Sequence, residues 1–220
     1  MSAMAQFADR RSAGRTLGRA LQCYDSTAAV VLGLPRGGVP VAFEVACALK
    51  APLGVLVVRK LGVPSQPELA MGAVGEGGVV VIDEETVRST GVSADLLADV
   101  QRAEQHRLEE DVATYRSGGP VHDIAGRTVI IVDDGIATGA TARAACLVAR
   151  SRGASAVVVA TPVIAPEAVE MLRSVADDLI WCEAPARFGG VGRWFMDFAP
   201  VTSAEVLVLL GTSTHAPPPT

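Results

Sequence analysis

The stretch VIIVDDGIATGAT, residues 129–141, joins three features whose combination needs an explanation. Four β-branched apolar residues, typical of a buried strand, run directly into two adjacent carboxylates, Asp133 and Asp134. A segment of Gly, Ala and Thr follows and leads into a helical pattern. Two neighbouring carboxylates at a strand tip repel each other and lose hydration unless something binds them. Diol hydroxyls or a hydrated Mg²⁺ would do so, which predicts a polar ligand at this point.

The segment after the acids, GIATGAT, is suited to an anion. Gly139 allows close approach to the backbone N–H groups of a helix N-terminus, and Thr138 and Thr141 add hydroxyl donors. A ribose 5-phosphate carries both a diol and a phosphate, so it would satisfy both halves of the stretch. The pattern is neither a Walker A loop nor a dinucleotide GxGxxG loop. The alternative is an ordinary strand–turn–helix junction with a capping Thr and surface acids.

This pattern resembles the phosphoribosyl pyrophosphate (PRPP) motif of type I phosphoribosyltransferases. The resemblance implies that Asp133 and Asp134 bind the ribose hydroxyls and contact Mg²⁺ indirectly, through PRPP or water. It also implies a cradle for the 5-phosphate, formed by Ala137, Thr138, Gly139, Ala140 and Thr141. The hypoxanthine-guanine branch has an Asp at the place of Ala137, whereas the adenine and uracil branches have Ala there.

A second candidate segment, GLPRGGVPVA (33–42), follows the first predicted strand. Gly37 and Gly38 free backbone N–H groups, and Arg36 adds a planar cation, which is suitable chemistry for a pyrophosphate. The resemblance agrees, because type I enzymes place a pyrophosphate-binding loop after this strand, often with a cis peptide. We expect that peptide between Pro35 and Gly37. The alternative is a tight turn that uses Gly-Gly for geometry alone.

Residues 59–78 are expected to add to the site. Arg59 and Lys60 follow the predicted strand 53–58 and could pair with phosphates or remain solvated. Residues 61–78 have little periodicity and resemble the family's flexible loop, which closes over the reaction centre and excludes water. Glu68, in the middle of that loop, could orient the nucleophile or stabilise a cationic transition state. It could equally be a solvated acid.

The aromatic segment 183–198, EAPARFGGVGRWFMDF, lies where type I enzymes carry the hood that holds the base. By a loose resemblance to the hypoxanthine-guanine branch, Phe188 would stack on a planar ring and Asp197 would accept its hydrogen bonds. The spacing between these two residues is longer here. The alternative is that Trp194, Phe195 and Phe198 are core residues under an irregular cap.

Alternating strand and helix patterns predict an α/β fold with a mainly parallel central sheet, as in type I phosphoribosyltransferases. Helices are expected at 9–22, 39–50, 93–116, 140–152, 166–175 and 203–210, and further strands at 29–34, 78–83, 128–133, 155–163 and 178–182. We expect one domain over residues 1–212, whose hood comprises 183–200 and N-terminal residues, and a disordered tail at 213–220. Ligands of such sheets bind beyond the carboxyl ends of the strands.

Composition excludes several classes of protein. With 50% apolar and 20% charged residues, the chain of 220 residues can bury a full core. The net charge of -5 argues against nucleic acid as a partner. No apolar run reaches membrane-spanning length, and the N-terminus lacks the apolar region of a secretory signal. The four scattered cysteines favour a reduced, cytoplasmic protein.

The pattern FADRR, PRGG and PELAMGAVGEGG resembles a bacterial group of phosphoribosyltransferases whose acceptor is not settled. The resemblance implies transfer of the phosphoribosyl group from PRPP to a nitrogen nucleophile with release of pyrophosphate, with Mg²⁺ as cofactor. It also implies Arg36, Glu68 and Asp134 as catalytic residues. A homodimer is implied too, with the Arg59–Lys60 region near the interface. Two alternatives remain: a PRPP- or nucleotide-sensing regulator without catalysis, and a hydrolase or phosphorylase of phosphoribosyl compounds.

Overall fold

The protein was analysed as a computed structural model, which describes residues 7–24, 29–117 and 121–213. The helices are α1 (Arg10–Ala20), α2 (Gly38–Leu49), α3 (Glu84–Thr90), α4 (Ala94–Arg116), α5 (Ala140–Ser151), α6 (Pro166–Arg173) and α7 (Ser203–Ser213). The strands are β1 (Ala29–Gly33), β2 (Leu53–Val55), β3 (Val58–Val63), β4 (Gln66–Gly75), β5 (Val79–Ile82), β6 (Thr128–Val132), β7 (Ala156–Val163) and β8 (Asp178–Glu183). No described helix is both long enough and apolar enough to cross a membrane.

Five strands form a parallel sheet in the order β2-β1-β6-β7-β8, which confirms the predicted α/β architecture. Side chains of β1 and β6 alternate between two apolar cores. Val31 and Ile130 face the core shared with α2 and α7, whereas Val30 and Ile131 face the core shared with α5 and α6. Burial on both faces explains why these strands are continuous apolar runs. Strand order reverses between β1 and β6, and ligands of such sheets bind at this kind of crevice.

The prediction of a loop over 61–78 is wrong for most of that segment. β3 and β4 form an antiparallel hairpin, and β5 completes a three-stranded antiparallel sheet. One of the glycines that suggested a loop, Gly72, instead lies where β4 and β5 approach closely. A Cβ at Gly72 would lie 2.4 Å from the carbonyl oxygen of Val81. Residues 71–75 of β4 are buried, and α5 packs against this strand. Tertiary packing therefore stabilises strands that local composition does not favour.

Other predicted boundaries hold to within a few residues, with three exceptions. The predicted strand 53–58 divides into β2 and the start of β3. The helix α3 was not predicted. It begins after Asp83, whose carboxylate accepts a hydrogen bond from the N–H of Thr86. α7 continues to Ser213, so the first residue of the predicted tail is helical, and the rest of that tail lies outside the described residues.

The hood, residues 183–200, begins at the last residue of β8, contains one 3₁₀ turn (Val191–Trp194) and is otherwise irregular. It packs on the chain just before α1: the N–H of Phe7 donates to the carbonyl of Trp194 at 3.2 Å, and the two rings of Phe7 and Phe195 lie 5.7 Å apart. This contact brings the first described residues beside the carboxyl ends of the strands. The division of the chain into one domain over residues 1–212, with a hood at 183–200, stays a prediction.

Candidate active site at the carboxyl edge of the parallel sheet

The acid pair Asp133–Asp134 directly follows β6 and is mostly withdrawn from solvent. The backbone N–H of Asp134 donates to Oδ1 of Asp133 at 2.9 Å. Burial, and then repulsion from Asp134, raise the pKa of Asp133 well above its usual range. Burial also raises the pKa of Asp134, although Arg10 opposes this shift. The pair therefore holds unfavourable negative charge that a ligand could relieve.

The loop after the acids leads into α5 as the sequence predicts. Ile136 anchors it through hydrogen bonds with Val163 and Ala165. Gly139 is the N-cap of α5 with φ of +78°, a left-handed conformation that glycine adopts without strain. The side chains of Thr138 and Thr141 are exposed at this end of the helix. The residues predicted to cradle the phosphate thus lie at a helix N-terminus beside the acid pair.

The turn Pro35–Gly38, the PRGG turn, lies against the acid pair. The N–H of Leu34 donates to the carbonyl of Val132 at 2.9 Å, which places the turn after β1 next to the end of β6. A Cβ added to Gly37 would lie 2.1 Å from Oδ2 of Asp134. One added to Gly38 would lie 2.5 Å from the carbonyl oxygen of Val132. Both glycines are therefore required by close approach, and the two predicted loops form one site.

Arg36 is the exposed cation of this turn. The peptide bond between Pro35 and Arg36 is cis, as the resemblance predicts. Within residues 7–24, 29–117 and 121–213, the guanidinium of Arg36 has no ion-pair or hydrogen-bond partner. It is available to an anionic ligand.

Arg59 and Lys60 lie within β3 rather than at the end of a strand of the parallel sheet, which corrects the sequence interpretation. Nη2 of Arg59 donates to the carboxylate of Asp111 on α4 at 2.6 Å, and Lys60 Nζ donates to Glu68 at 2.9 Å. Both side chains nevertheless line a cavity that Arg36 also lines. They reach the site from the side, as part of the antiparallel sheet.

Glu68 connects the hairpin to the phosphate loop. One carboxylate oxygen accepts from Lys60 Nζ at 2.9 Å and the other accepts from the Thr138 hydroxyl at 3.0 Å. These two bonds, Lys60 first, lower the pKa of Glu68. The Glu68 carboxylate thus accepts a hydrogen bond from the Thr138 hydroxyl, which the resemblance assigns to binding of the 5-phosphate. An incoming phosphate would compete with Glu68 for Thr138.

The two predicted base-binding residues lie in different surroundings within the hood. Phe188 is half-buried and packs against the cluster of Phe7, Trp194 and Phe195, and its carbonyl accepts from Trp194 Nε1 at 3.1 Å. Asp197 is exposed, and its carboxylate accepts from the N–H of Ala199. The alternative of core residues under an irregular cap is correct for Trp194 and Phe195, which are 8% and 5% exposed. The roles of Phe188 and Asp197 in base binding stay predictions.

Arg10, at the start of α1, is the residue that sequence reasoning missed. Its Nε donates to Oδ2 of Asp134 at 2.7 Å, and the two side chains are 11% and 14% exposed. The same guanidinium donates to the carbonyl of Ala199 and lies 3.8 Å from the ring centroid of Phe198. Arg10 therefore joins the acid pair to the hood. The only signal in the sequence is its place in FADRR, because the two partners are 124 residues apart.

Comparison with known proteins identifies the family. A model described as "Phosphoribosyl transferase domain" matches residues 10–191. The chain belongs to the phosphoribosyl transferase family. It is 48% identical over 207 residues to a Mycobacterium tuberculosis protein named "Putative phosphoribosyl transferase Rv0571c", a match that covers 94% of this chain and 47% of that protein.

A solved structure supports the fold of this family member independently. The protein TT1426 from Thermus thermophilus has 43% sequence identity to this chain. Its crystal structure superposes on this chain with a TM-score of 0.88, and the match covers 94% of this chain and 98% of that one. The phosphoribosyl transferase chain spans about half the length of the mycobacterial relatives it matches. Its activity is therefore a proposal that rests on the geometry of the site.

Proposed function

We propose that this protein transfers the 5-phosphoribosyl group of PRPP to a nitrogen nucleophile, with a nucleobase or similar ring as acceptor. One observation carries the proposal: the PRGG turn packs directly on the acid pair, where strand order reverses. The acid pair, a helix N-terminus and Arg36, whose guanidinium has no partner among the residues that the structure describes, are thereby combined in one crevice. These are the groups that a phosphorylated ribose with a pyrophosphate leaving group requires.

In the proposed reaction, a nitrogen lone pair forms a bond to C1 of the ribose while the bond from C1 to the pyrophosphate oxygen breaks. Pyrophosphate leaves with that electron pair, and the acceptor nitrogen releases its proton to solvent water. Asp133 and Asp134 hold the ribose hydroxyls, and residues 137–141 hold the 5-phosphate. Arg36 stabilises the charge that develops on the leaving pyrophosphate. Rate enhancement then comes from positioning and electrostatics.

The acid pair fits Mg²⁺ as an indirect partner. Mg²⁺ keeps several waters and is commonly bound by one or two carboxylates together with substrate phosphates. When bound, it would neutralise charge on the pyrophosphate. Asp133 and Asp134 offer the oxygen atoms for such contacts through water or PRPP, and burial raises the pKa of both carboxyl groups, so a cation beside them would be favourable.

Glu68 is the proposed mobile element of the site. The Glu68 side chain is 67% exposed, so its hydrogen bonds with Lys60 and Thr138 are weakened by water. A phosphate can therefore compete with Glu68 for both partners. Release of Thr138 would free Glu68 to orient the nucleophile or to face the cationic sugar of the transition state. The hairpin then serves as the cover that excludes water.

The hood is the proposed acceptor site, with Phe188 stacking on the ring and Asp197 accepting its hydrogen bonds. Val191 of the hood lies against the loop that follows the acid pair, because a Cβ at Gly135 in that loop would lie 2.3 Å from Val191 Cγ1. The hood is therefore close to the proposed PRPP site. We further propose a cytoplasmic homodimer. Light scattering at the monomer mass would contradict the dimer.

Calorimetry of PRPP binding, with and without Mg²⁺, tests the donor site. We expect Mg²⁺-dependent binding by the wild type and loss of binding in the double variant Asp133→Asn/Asp134→Asn. Asp123→Asn is a matched control, since Asp123 precedes β6 and so lies toward the other end of that strand. If the wild type does not bind PRPP, the proposed function is wrong.

A PRPP-sensing regulator is the second candidate, favoured by one observation. Ala137, at the place of a proton-handling Asp in one branch of the family, offers no titratable group and is solvent-exposed. A screen of nucleobases and amines for pyrophosphate release separates the candidates. PRPP binding without release for any acceptor favours the sensor, and release of pyrophosphate supports the transferase.

A further inference from the structure

Each acid of the pair has one carboxylate oxygen that the protein holds and one that it leaves open. Oδ1 of Asp133 accepts from the backbone N–H of Asp134 at 2.9 Å, and Oδ2 of Asp134 accepts from Nε of Arg10 at 2.7 Å. Among the residues that the structure describes, no group donates to Oδ2 of Asp133 or to Oδ1 of Asp134, and neither atom is fully buried. The pair therefore offers one open acceptor atom for each hydroxyl of a ribose diol.

The two carboxylates differ in what fixes them. Asp133 is held by the peptide N–H of the next residue, so its contact belongs to the loop itself. Asp134 is held by a side chain that is 124 residues away in the sequence. Gly37 lies against the same oxygen of Asp134, but the hydrogen bond that sets the direction of the carboxylate comes from Arg10. Arg10 therefore orients one acid of the pair, whereas the local backbone orients the other.

The guanidinium of Arg10 is itself fixed by the hood. Nη1 donates to the carbonyl of Ala199 at 2.8 Å, and Cζ lies 3.8 Å from the ring centroid of Phe198. Phe198 stacks on the buried Phe195, with ring centroids 5.0 Å apart. The Arg10 side chain is 11% exposed. A side chain whose orientation is fixed by packing and hydrogen bonds can in turn orient the group that it binds.

We propose that Arg10 is a positioning residue that directs the open oxygen of Asp134 at one hydroxyl of the ribose, and that the aromatic packing of the hood holds Arg10 in place. This inference rests on the proposed function and adds to it. It divides the acid pair into two hydroxyl sites. The site at Asp134 depends on Arg10 and the hood, and the site at Asp133 depends on neither.

Two deoxy sugars test this division, because 2-deoxyribose 5-phosphate and 3-deoxyribose 5-phosphate each lack one hydroxyl of ribose 5-phosphate. We expect the wild type to bind each deoxy sugar about tenfold more weakly than ribose 5-phosphate in calorimetry, as for the loss of one hydrogen bond to a charged group. Arg10→Lys should lose the preference for one hydroxyl and keep the other. A lysine ammonium retains the charge, but it lacks the planar group with which Arg10 joins Asp134 to Ala199.

Arg11→Lys is the matched control, because Arg11 is the next residue of α1, is 53% exposed and pairs with Glu44. It should keep both hydroxyl preferences. Phe198→Leu is a second variant, which removes the ring beside the guanidinium and alters neither Arg10 nor the acid pair. It should lose the same preference as Arg10→Lys. A melting temperature below that of the wild type with both preferences intact would mean a merely structural role for Arg10.

The outcomes separate this inference from the transferase proposal. If the wild type binds PRPP and Arg10→Lys keeps both preferences, the role of Arg10 is wrong and the transferase proposal stands. Loss of both preferences also contradicts the role, because Arg10 would then support the pair as a whole. If Phe198→Leu keeps both preferences while Arg10→Lys loses one, the part of the hood is wrong.

The transferase proposal can also fail alone. If Arg10→Lys loses one preference but no base or amine releases pyrophosphate from PRPP, the role of Arg10 stands and the transferase proposal falls. A wild type that binds the three sugars equally, or binds none, overturns the role of Arg10. Failure of that wild type to bind PRPP would then overturn both.

Discussion

The donor edge, which comprises the acid pair, residues 135–141 and the PRGG turn, differs from the hood in how its polar groups are satisfied. At the donor edge, neither Asp133 nor Arg36 forms an ion pair within the described residues, and burial raises the pKa of Asp133. In the hood, aromatic rings pack on one another and Trp194 Nε1 has a carbonyl partner. Unsatisfied polar groups are typical of binding sites, whereas the hood is stabilised by apolar packing among its own rings and against Phe7, Ala13 and Val163.

Gly37→Ala should have the largest effect on PRPP binding and would show whether the donor edge tolerates any displacement. The added methyl would lie 2.1 Å from Asp134 Oδ2, so either the turn or the carboxylate must move. Overpacking of this kind costs about 1–3 kcal/mol. We expect PRPP affinity to fall roughly 10- to 100-fold by calorimetry. Gly211→Ala is the control, because a Cβ at Gly211 meets no atom of the described residues within 4 Å. Unchanged PRPP affinity in Gly37→Ala would mean that the turn is not part of the donor site.

Arg10→Gln should reveal whether the donor edge and the hood are energetically coupled. Removing one partner of a mostly buried ion pair typically costs about 3 kcal/mol, and here the contact with Phe198 is lost as well. We expect a fall of about 3 kcal/mol in the free energy of unfolding, measured with urea. Arg11→Gln, whose side chain is 53% exposed, should cost less than about 1 kcal/mol. Equal losses in the two variants would mean that Arg10 does not couple the two regions.

Asp133→Asn should have the smallest effect, and it should be a gain. Burial and the Asp134 charge raise the pKa of Asp133, so the folded state binds its proton more tightly than the unfolded state. In the wild type this contribution to stability is present below the ordinary pKa and is lost as pH rises through the raised pKa. At neutral pH the variant should therefore be more stable by roughly 1 kcal/mol, with weaker dependence on pH above about pH 4. A less stable variant at neutral pH would mean that the buried acid is satisfied, which would remove the difference between the donor edge and the hood.

Much of the donor edge could be predicted because its residues are close in sequence. The acids, Thr138 and Gly139 belong to one short segment, and the strand before it has an unmistakable apolar run. The rule that ligands bind beyond the carboxyl ends of parallel strands then relates this segment to the PRGG turn. The contacts between Gly37 and Asp134 confirm that relation.

The hairpin β3–β4 could not be predicted because its strands depend on packing with distant elements. Gly62, Gly72 and Pro64 weaken any local strand signal, while burial of residues 71–75 beneath α5 compensates. The same limit applies to Arg59, whose partner Asp111 lies on α4. A composition that resembles a loop can thus form a sheet when another element covers it.

The sequence by itself determined the alternation of strands and helices, the acid pair after β6, and the glycines that allow the PRGG turn to approach it, since each depends on local pattern or backbone chemistry. Only the tertiary structure decided that Arg10 pairs with Asp134, that Glu68 binds Thr138, and that Tyr115 lines a cavity with Arg36. These contacts join residues 124, 70 and 79 positions apart, the last being 115 minus 36. No periodicity in a single chain encodes such separations, because they arise when packed elements meet.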